Sequence, residues 1–249
     1  MNADRRFAAL SERLSTEIAQ ARQHAEHLRM AEALLFASAV PLSEAELVEK
    51  LPAGARVPRL IEDLEAYYAG RGVNLVRVAG GFAFRTAGDL SWLMAKDVVE
   101  PRKLSRAALE TLAIVAYHQP VTRAEIEEIR GVSTSKGTLD TLIEAGWVRL
   151  RGRRRAPGRP VTYGTTRAFL DHFGLDAIGD LPGLEELKGS GFFDGRLPPG
   201  LSVPLPSDDD TLREDEEPLE ADDLFVPLEV ERDDDEDSGE DEGDNGDDA

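Results

Sequence analysis

Apolar residues recur every three or four positions along the first stretch of the chain: Phe7, Leu10, Leu14, Ile18, Ala21, Ala25 and Leu28. That spacing predicts one amphipathic helix over residues 1–28. The later part of its stripe is mostly alanine, so it grips weakly, which suits a short docking helix or a frayed extension better than a long coiled coil. From Arg29 the pattern is denser, and it occurs twice. Pro41-Leu42-Ser43-Glu44-Ala45-Glu46-Leu47 aligns with Pro120-Val121-Thr122-Arg123-Ala124-Glu125-Ile126 at an offset of 79 residues. An apolar helix precedes each copy, Met30 to Ala39 and Ala107 to Tyr117. Ser43 and Thr122 stand as N-caps with Glu46 and Glu125 three residues on, the arrangement that satisfies free backbone N–H groups at a helix start. A repeat of this length reads as a duplicated domain rather than a solenoid.

A third helix follows in each copy, Val57 to Gly70 and Ser135 to Ala145, and after it two β-like runs. Val73 to Val78 and Phe82 to Thr86 are joined by Ala79-Gly80-Gly81, whose glycines predict a hairpin turn. In the second copy, Trp147 to Leu150 and Val161 to Gly164 flank a loop of Gly, Arg and Pro. Three helices and a hairpin form a winged helix. The fold class is therefore α+β, two tandem winged-helix domains over 29–98 and 104–174. Each has about 70 residues, a size at which isolated stability is marginal, so a second domain or a second subunit is expected to support it. Beyond Gly174 a Gly- and Pro-rich extension runs to 207, with one short helical piece at Leu184 to Lys188.

Charge changes the picture of the rest. The chain of 249 residues has 49 acids and 29 bases, net −20. Of these, 23 acids against Arg213 and Arg232 lie in residues 208–249, so the tail holds −21 and the first 207 residues +1. Such a tail is expected to be disordered, since it repels itself and has little apolar area to bury. The apolar island Leu224-Phe225-Val226-Pro227-Leu228 interrupts it, as a chance cluster or a docking motif. No cysteine is present, which excludes disulfides, Cys-ligated metal and thiol nucleophiles. No apolar run is long enough to span a bilayer and the first residues have no signal-peptide pattern. A cytoplasmic protein with no membrane partner is expected.

Catalytic chemistry is sparse. His24 and His27 sit three apart on the first helix and read as a solvated face, and His118 reads as a cap or turn residue. Gly189, Gly191 and Gly195 miss dinucleotide-loop spacing, and the carboxylates offer no acid/base pair. No enzyme, no metal and no cofactor is expected. The dense cationic feature is the second wing: Arg149, Arg151, Arg153, Arg154, Arg155, Arg159 and Arg167 put seven positive charges in 19 residues with no acid among them. Arginine suits phosphate and carboxylate forks alike. The wing thus reads as a contact for an anionic partner or as a solvated, solubilising face. Beside the −21 tail it suggests that the tail visits the wing and competes there with DNA or an acidic partner. The third helices argue against base reading, because Arg59 faces Glu62, Asp63 and Glu65 in one, and Lys136 faces Asp140 and Glu144 in the other. A nucleic-acid-binding regulator led by the arginine wing remains the alternative, and weak non-specific DNA contact is compatible with either reading.

Residues 104–132, LSRAALETLAIVAYHQPVTRAEIEEIRGV, with APGRPVTYGTTRAFLDHFGL at 156–175 and LPGLEEL at 181–187, resemble the bacterial segregation and condensation protein B family. AEALLFASAVPLSEAEL at 31–47 is similar to that family's beginning. The turn region STSKGTLDTLIEAGW, 133–147, departs from the family pattern. The resemblance implies a homodimer, with the first domain dimerising and the second holding a kleisin, segregation and condensation protein A. It implies further that the protein joins an SMC ATPase through the kleisin, at the nucleoid, in chromosome condensation and segregation. Tyr117, Trp147 and Tyr163 are the apolar anchors expected near the kleisin, each with an equally strong reading as core packing.

Overall fold

The computed structural model describes residues 3–94, 104–183, 186 and 211–220. Its first helix, α1 (Ala3–Ala37), is one unbroken element of 35 residues. No boundary falls at Arg29, because nothing there interrupts helix hydrogen bonding: the first proline is Pro41 and the first glycine Gly54. Leu10, Leu14 and Ile18 are exposed, whereas Ala31 and Leu35 enter the core. The two histidines are not on a solvated face. His27 is 7% exposed, and the His24 imidazole meets Asp63 of the third helix at 2.7 Å, which ties α1 to that helix.

After α1 come α2 (Glu44–Lys50) and α3 (Val57–Tyr68), then the antiparallel hairpin β1 (Val73–Val78) and β2 (Gly81–Thr86), and the short α4 (Ser91–Met94). Ser43 and Glu46 form the expected reciprocal cap on α2. Pro at the start of α3 sits where its missing N–H costs nothing. The hairpin turns on Ala79 and Gly80, both at positive φ, the paired left-handed residues of a type I′ turn. Gly81 is required for another reason: a Cβ there would lie 2.8 Å from the Leu42 carbonyl carbon and oxygen. That approach lets Leu42 and Phe82 exchange backbone hydrogen bonds of 2.8 and 3.0 Å. Leu47, Leu60, Leu64 and Val57 are fully buried between the helices and this hairpin.

The second unit repeats the order: α5 (Arg106–His118), β3 (Val121–Thr122), α6 (Arg123–Arg130), α7 (Lys136–Glu144), β4 (Val148–Arg154), β5 (Val161–Thr165) and α8 (Arg167–Phe173). Thr122 and Glu125 reproduce the reciprocal cap on α6. Val121 pairs with Tyr163, in the place where Leu42 bridges Phe82 in the first unit, so the residue after the repeated proline stitches each helical half to its hairpin. Ile126, Leu142, Val115 and Val148 are fully buried. The units also touch each other. Ala79 and Gly80 donate to the carbonyls of Leu175 and Asp176 at 2.8 and 2.9 Å, Arg77 pairs with Asp176 and Arg85 with Asp171. Leu170 packs on Val78, Ala79 and Ala83.

Two expectations about the C-terminal half need correction. β4 runs through Arg154, so Arg151, Arg153 and Arg154 lie on a strand and not in a loop. Residues 211–220 are not disordered: β6 (Glu216–Glu217) pairs antiparallel with β4, giving the sheet order β3-β5-β4-β6. The self-repulsion that argues against folding is cancelled there by arginines. The helical piece expected at 184–188, apart from residue 186, and the Leu224 to Leu228 island lie outside the described residues.

Candidate anionic-partner site on the second hairpin

The seven arginines divide by where the strand turns them. β4 carries a bulge between Leu150 and Gly152, and Arg151 has no register partner on β5. Arg151 lies on the Thr162 and Gly164 face of the sheet, buried with its side chain 4% exposed, and faces Glu216, whose side chain is 0% exposed. The Arg151 Nε donates to Glu216 Oε2 at 3.3 Å, Thr162 Oγ1 donates to Oε1 at 2.7 Å, and the Arg213 amide donates to Oε2 at 3.0 Å. Arg151 also donates to the Thr211 carbonyl. One carboxylate is thus held from three directions by charge-assisted and neutral donors, the condition under which a buried ion pair is tolerated.

Around this centre lies a more exposed rim. Arg154 donates to Asp215 at 2.8 Å and, on its other side, to both oxygens of Glu125 at 2.9 and 3.0 Å. Burial alone would push the Arg154 pKa down, but the two carboxylates outweigh it and raise it. Glu125 shows the converse: burial would raise its pKa, yet the Thr122 amide and Arg154 hold it below the usual carboxylate value. Arg159 donates to Glu217 at 2.6 Å, which raises its pKa, and lies 3.6 Å from Glu220. Arg155 lies 3.6 Å from Glu217, and its amide donates to the Asp215 carbonyl at 2.7 Å.

The other three arginines also reach other parts of the fold. Arg149 donates to the Thr165 carbonyl, and Arg153 to that of Arg159. Arg167 opens α8 and sits beside Gly80 at the tip of the first hairpin, off the wing altogether. Arg151, Arg154, Arg155 and Arg159 thus all meet acids from residues 215–220. Sequence reasoning missed Glu216 and Thr162. The available signal was the least acidic part of the tail, Thr211-Leu212-Arg213, which breaks the charge run with an apolar residue and a base.

The aromatic anchors separate as well. Tyr163 is 3% exposed and belongs to the core. Tyr117 donates from its hydroxyl to the Pro182 carbonyl at 2.7 Å. Trp147 is half-buried and stacks with His172 and Phe173 at centroid distances of 4.4 and 5.7 Å. Among the described residues no three His, Asp or Glu side chains are placed to hold a metal ion, and no helix is long and apolar enough to cross a membrane.

A family model described as segregation and condensation complex subunit ScpB matches residues 29–184. The chain is similar to segregation and condensation protein B of Syntrophotalea carbinolica, 46% identical over 159 residues that make up 62% of this chain and 80% of that one. Segregation and condensation protein B of Moorella thermoacetica is 46% identical over 172 residues, 66% of this chain and 87% of that one. Among solved structures, ScpB from Mycobacterium tuberculosis is 33% identical over 61% of this chain and 97% of that one, with a TM-score of 0.29. The matched span takes in both helix-and-hairpin units and stops short of the strand at 216–217. The chain belongs to the segregation and condensation complex subunit ScpB family, and with it has a role in chromosome segregation and condensation.

Proposed function

We propose that the chain is a non-catalytic subunit of an SMC–kleisin complex, built from two winged-helix domains that act as a homodimeric clamp on the kleisin segregation and condensation protein A. The observation that carries this reading is the family match over 29–184, which spans both units. Energy comes from the SMC ATPase, joined through the kleisin. The clamp orders a kleisin segment at the cost of that segment's conformational entropy, and apolar burial offsets the cost.

The first unit supports the homodimer with an apolar face that the described residues leave uncovered. Phe36 is 81% exposed and Val40 62%, and Phe36 lines a groove with Arg29, Glu32, Tyr68, Val73 and Phe84. Kleisin contact falls to the second unit, where Trp147 and the exposed Phe173 stack at its end and Tyr117 anchors the chain at Pro182. Tyr163 drops out of the contact set because it is core. The rival reading, a regulator that grips DNA with the arginine wing, is weakened by the carboxylates already on Arg151, Arg154, Arg155 and Arg159. The decisive experiment is co-expression of the tagged full chain with the kleisin of its own genome. Co-elution of the two in stable ratio through gel filtration is expected, and separation at micromolar concentration refutes the clamp.

A further inference from the structure

We propose that the outer edge of β4 is a docking site for an extended acidic peptide strand, and that residues 211–220 fill it in cis as the chain's own ligand, so that another protein's acidic strand takes the site by displacing them. The proposal rests on the geometry of this edge and not on the kleisin reading.

The receptor half belongs to the second unit itself. Arg151 on β4 and Thr162 on β5 converge on one carboxylate, and both residues are buried. Gly152 supplies the space: a Cβ there would lie 2.6 Å from the Glu217 carbonyl oxygen and 3.0 Å from the Leu212 side chain. Its φ is not in the left-handed region, so no turn explains the glycine, whereas close approach of a second backbone does. Main-chain pairing continues past it, through Arg153 with Glu217 and Arg154 with Glu216. Strand addition gives affinity through the backbone, and side-chain pockets give selectivity. Here the pocket selects glutamate, and the arginine rim favours acids on either side of it.

This chemistry separates a peptide from a nucleic acid. A phosphate backbone has neither the N–H and C=O ladder that β4 pairs with nor a carboxylate on a short stem that reaches between Arg151 and Thr162. The wing's charge suits both; the edge suits only the peptide.

The ligand half comes from outside the second unit. Residues 184–210 separate Gly183 from Thr211, and 27 residues can span up to about 90 Å, so the strand arrives from far along the chain. A ligand carried on the same chain as its receptor competes at an effective concentration of about 1 mM. A free peptide whose intrinsic dissociation constant is about 100 μM then binds the occupied protein roughly tenfold more weakly than the vacant one.

The test uses the full chain and a fluorescein-labelled peptide, TLREDEEPLE, read by fluorescence anisotropy. Glu216→Lys expels the chain's own strand without touching the receptor, and because residue 216 lies outside both cores the variant stays folded. The expected result is that Glu216→Lys binds the peptide about tenfold more tightly than wild type, that adding Gly152→Val removes this gain, and that a peptide of the same composition in scrambled order binds more weakly. Equal peptide affinity for wild type and Glu216→Lys overturns the proposal. So does a scrambled peptide that binds as well as the native order, or a 20-base-pair duplex that gains affinity while the peptide does not, since either makes the wing a general polyanion surface. Light scattering after gel filtration fixes the source of the strand: equal molar mass for wild type and Glu216→Lys is expected, and a lower mass for the variant assigns the strand to a second copy and overturns occupancy in cis.

Discussion

Glu125 joins the cap of α6 to the arginine strand, and its removal should cost more than removal of its counterpart in the first unit. Its Oε2 accepts from the Thr122 amide at 2.7 Å, and its two oxygens accept from Arg154. Glu46 accepts from the Ser43 amide at 2.8 Å and from the Ser43 hydroxyl, with no arginine fork. Glu125→Ala leaves a part-buried amide without its acceptor, about 1–2 kcal/mol. The Arg154 pair adds less than about 1 kcal/mol, because the Glu125 side chain is 43% exposed and solvent screens it. A total of about 2 kcal/mol lowers the melting midpoint by roughly 4–8 °C for a folded body of this size. Urea denaturation followed by circular dichroism measures it, with Glu46→Ala as the internal comparison and Arg154→Ala completing a double-mutant cycle. The pH dependence has a definite sign. The Glu125 pKa is depressed in the folded state, so its contribution is present above the ordinary carboxylate value and is lost as pH falls through the lower folded value. Wild type and Glu125→Ala therefore converge in stability on acidification. A Glu125→Ala loss no greater than that of Glu46→Ala, or a difference that persists unchanged in acid, refutes the reasoning.

Phe36→Asp tests the dimer: with the ring 81% exposed, the protomer's own fold should be unaffected. Burial of a phenylalanine from each copy is worth about 1.5–3 kcal/mol apiece, so self-association measured by sedimentation equilibrium should weaken by roughly 10²- to 10⁴-fold; unchanged association removes this face from the interface. Tyr163→Ala should cost about 3–5 kcal/mol as a core cavity, visible as a lower urea midpoint before any partner is added. A variant of wild-type stability that fails only in kleisin binding would return Tyr163 to the contact surface.

What was legible in the sequence is what local chemistry decides. The paired caps at Ser43 and Thr122 each lie within three residues of their partner glutamate, and the Ala-Gly-Gly turn states its own backbone conformation. The continuity of α1 was hidden because the hydrophobic stripe changes density at Arg29 while the backbone meets no breaker until Pro41. The partner of His24 could not be read locally because it comes from another element: Asp63 lies on α3. The strand identity of Arg151, Arg153 and Arg154 was hidden for a related reason. Arginine has no marked preference for strands, and here the edge is set by pairing with β5 and with a segment more than 60 residues away.

The net charge of −20 first suggests a neutral body with an unfolded polyanion attached. The buried guanidinium of Arg151 makes that division untenable, because a charge with 4% side-chain exposure is tolerated only beside an opposite charge that is itself hydrogen-bonded. No acid lies between Arg149 and Arg167 in the sequence, so the partner has to be remote. Glu125 is engaged with Arg154, and the tail provides Glu216. Once that carboxylate is in place, Gly152 acquires an explanation: it lets a second backbone pass beside Arg151. Simple alternation in β4 would have put Arg149, Arg151 and Arg153 on one face. The one-residue irregularity moves Arg153 to the opposite face, across from Val161, and leaves Arg151 on the face of Thr162 and Gly164, so that a run of like charges becomes a buried recognition centre with an exposed rim.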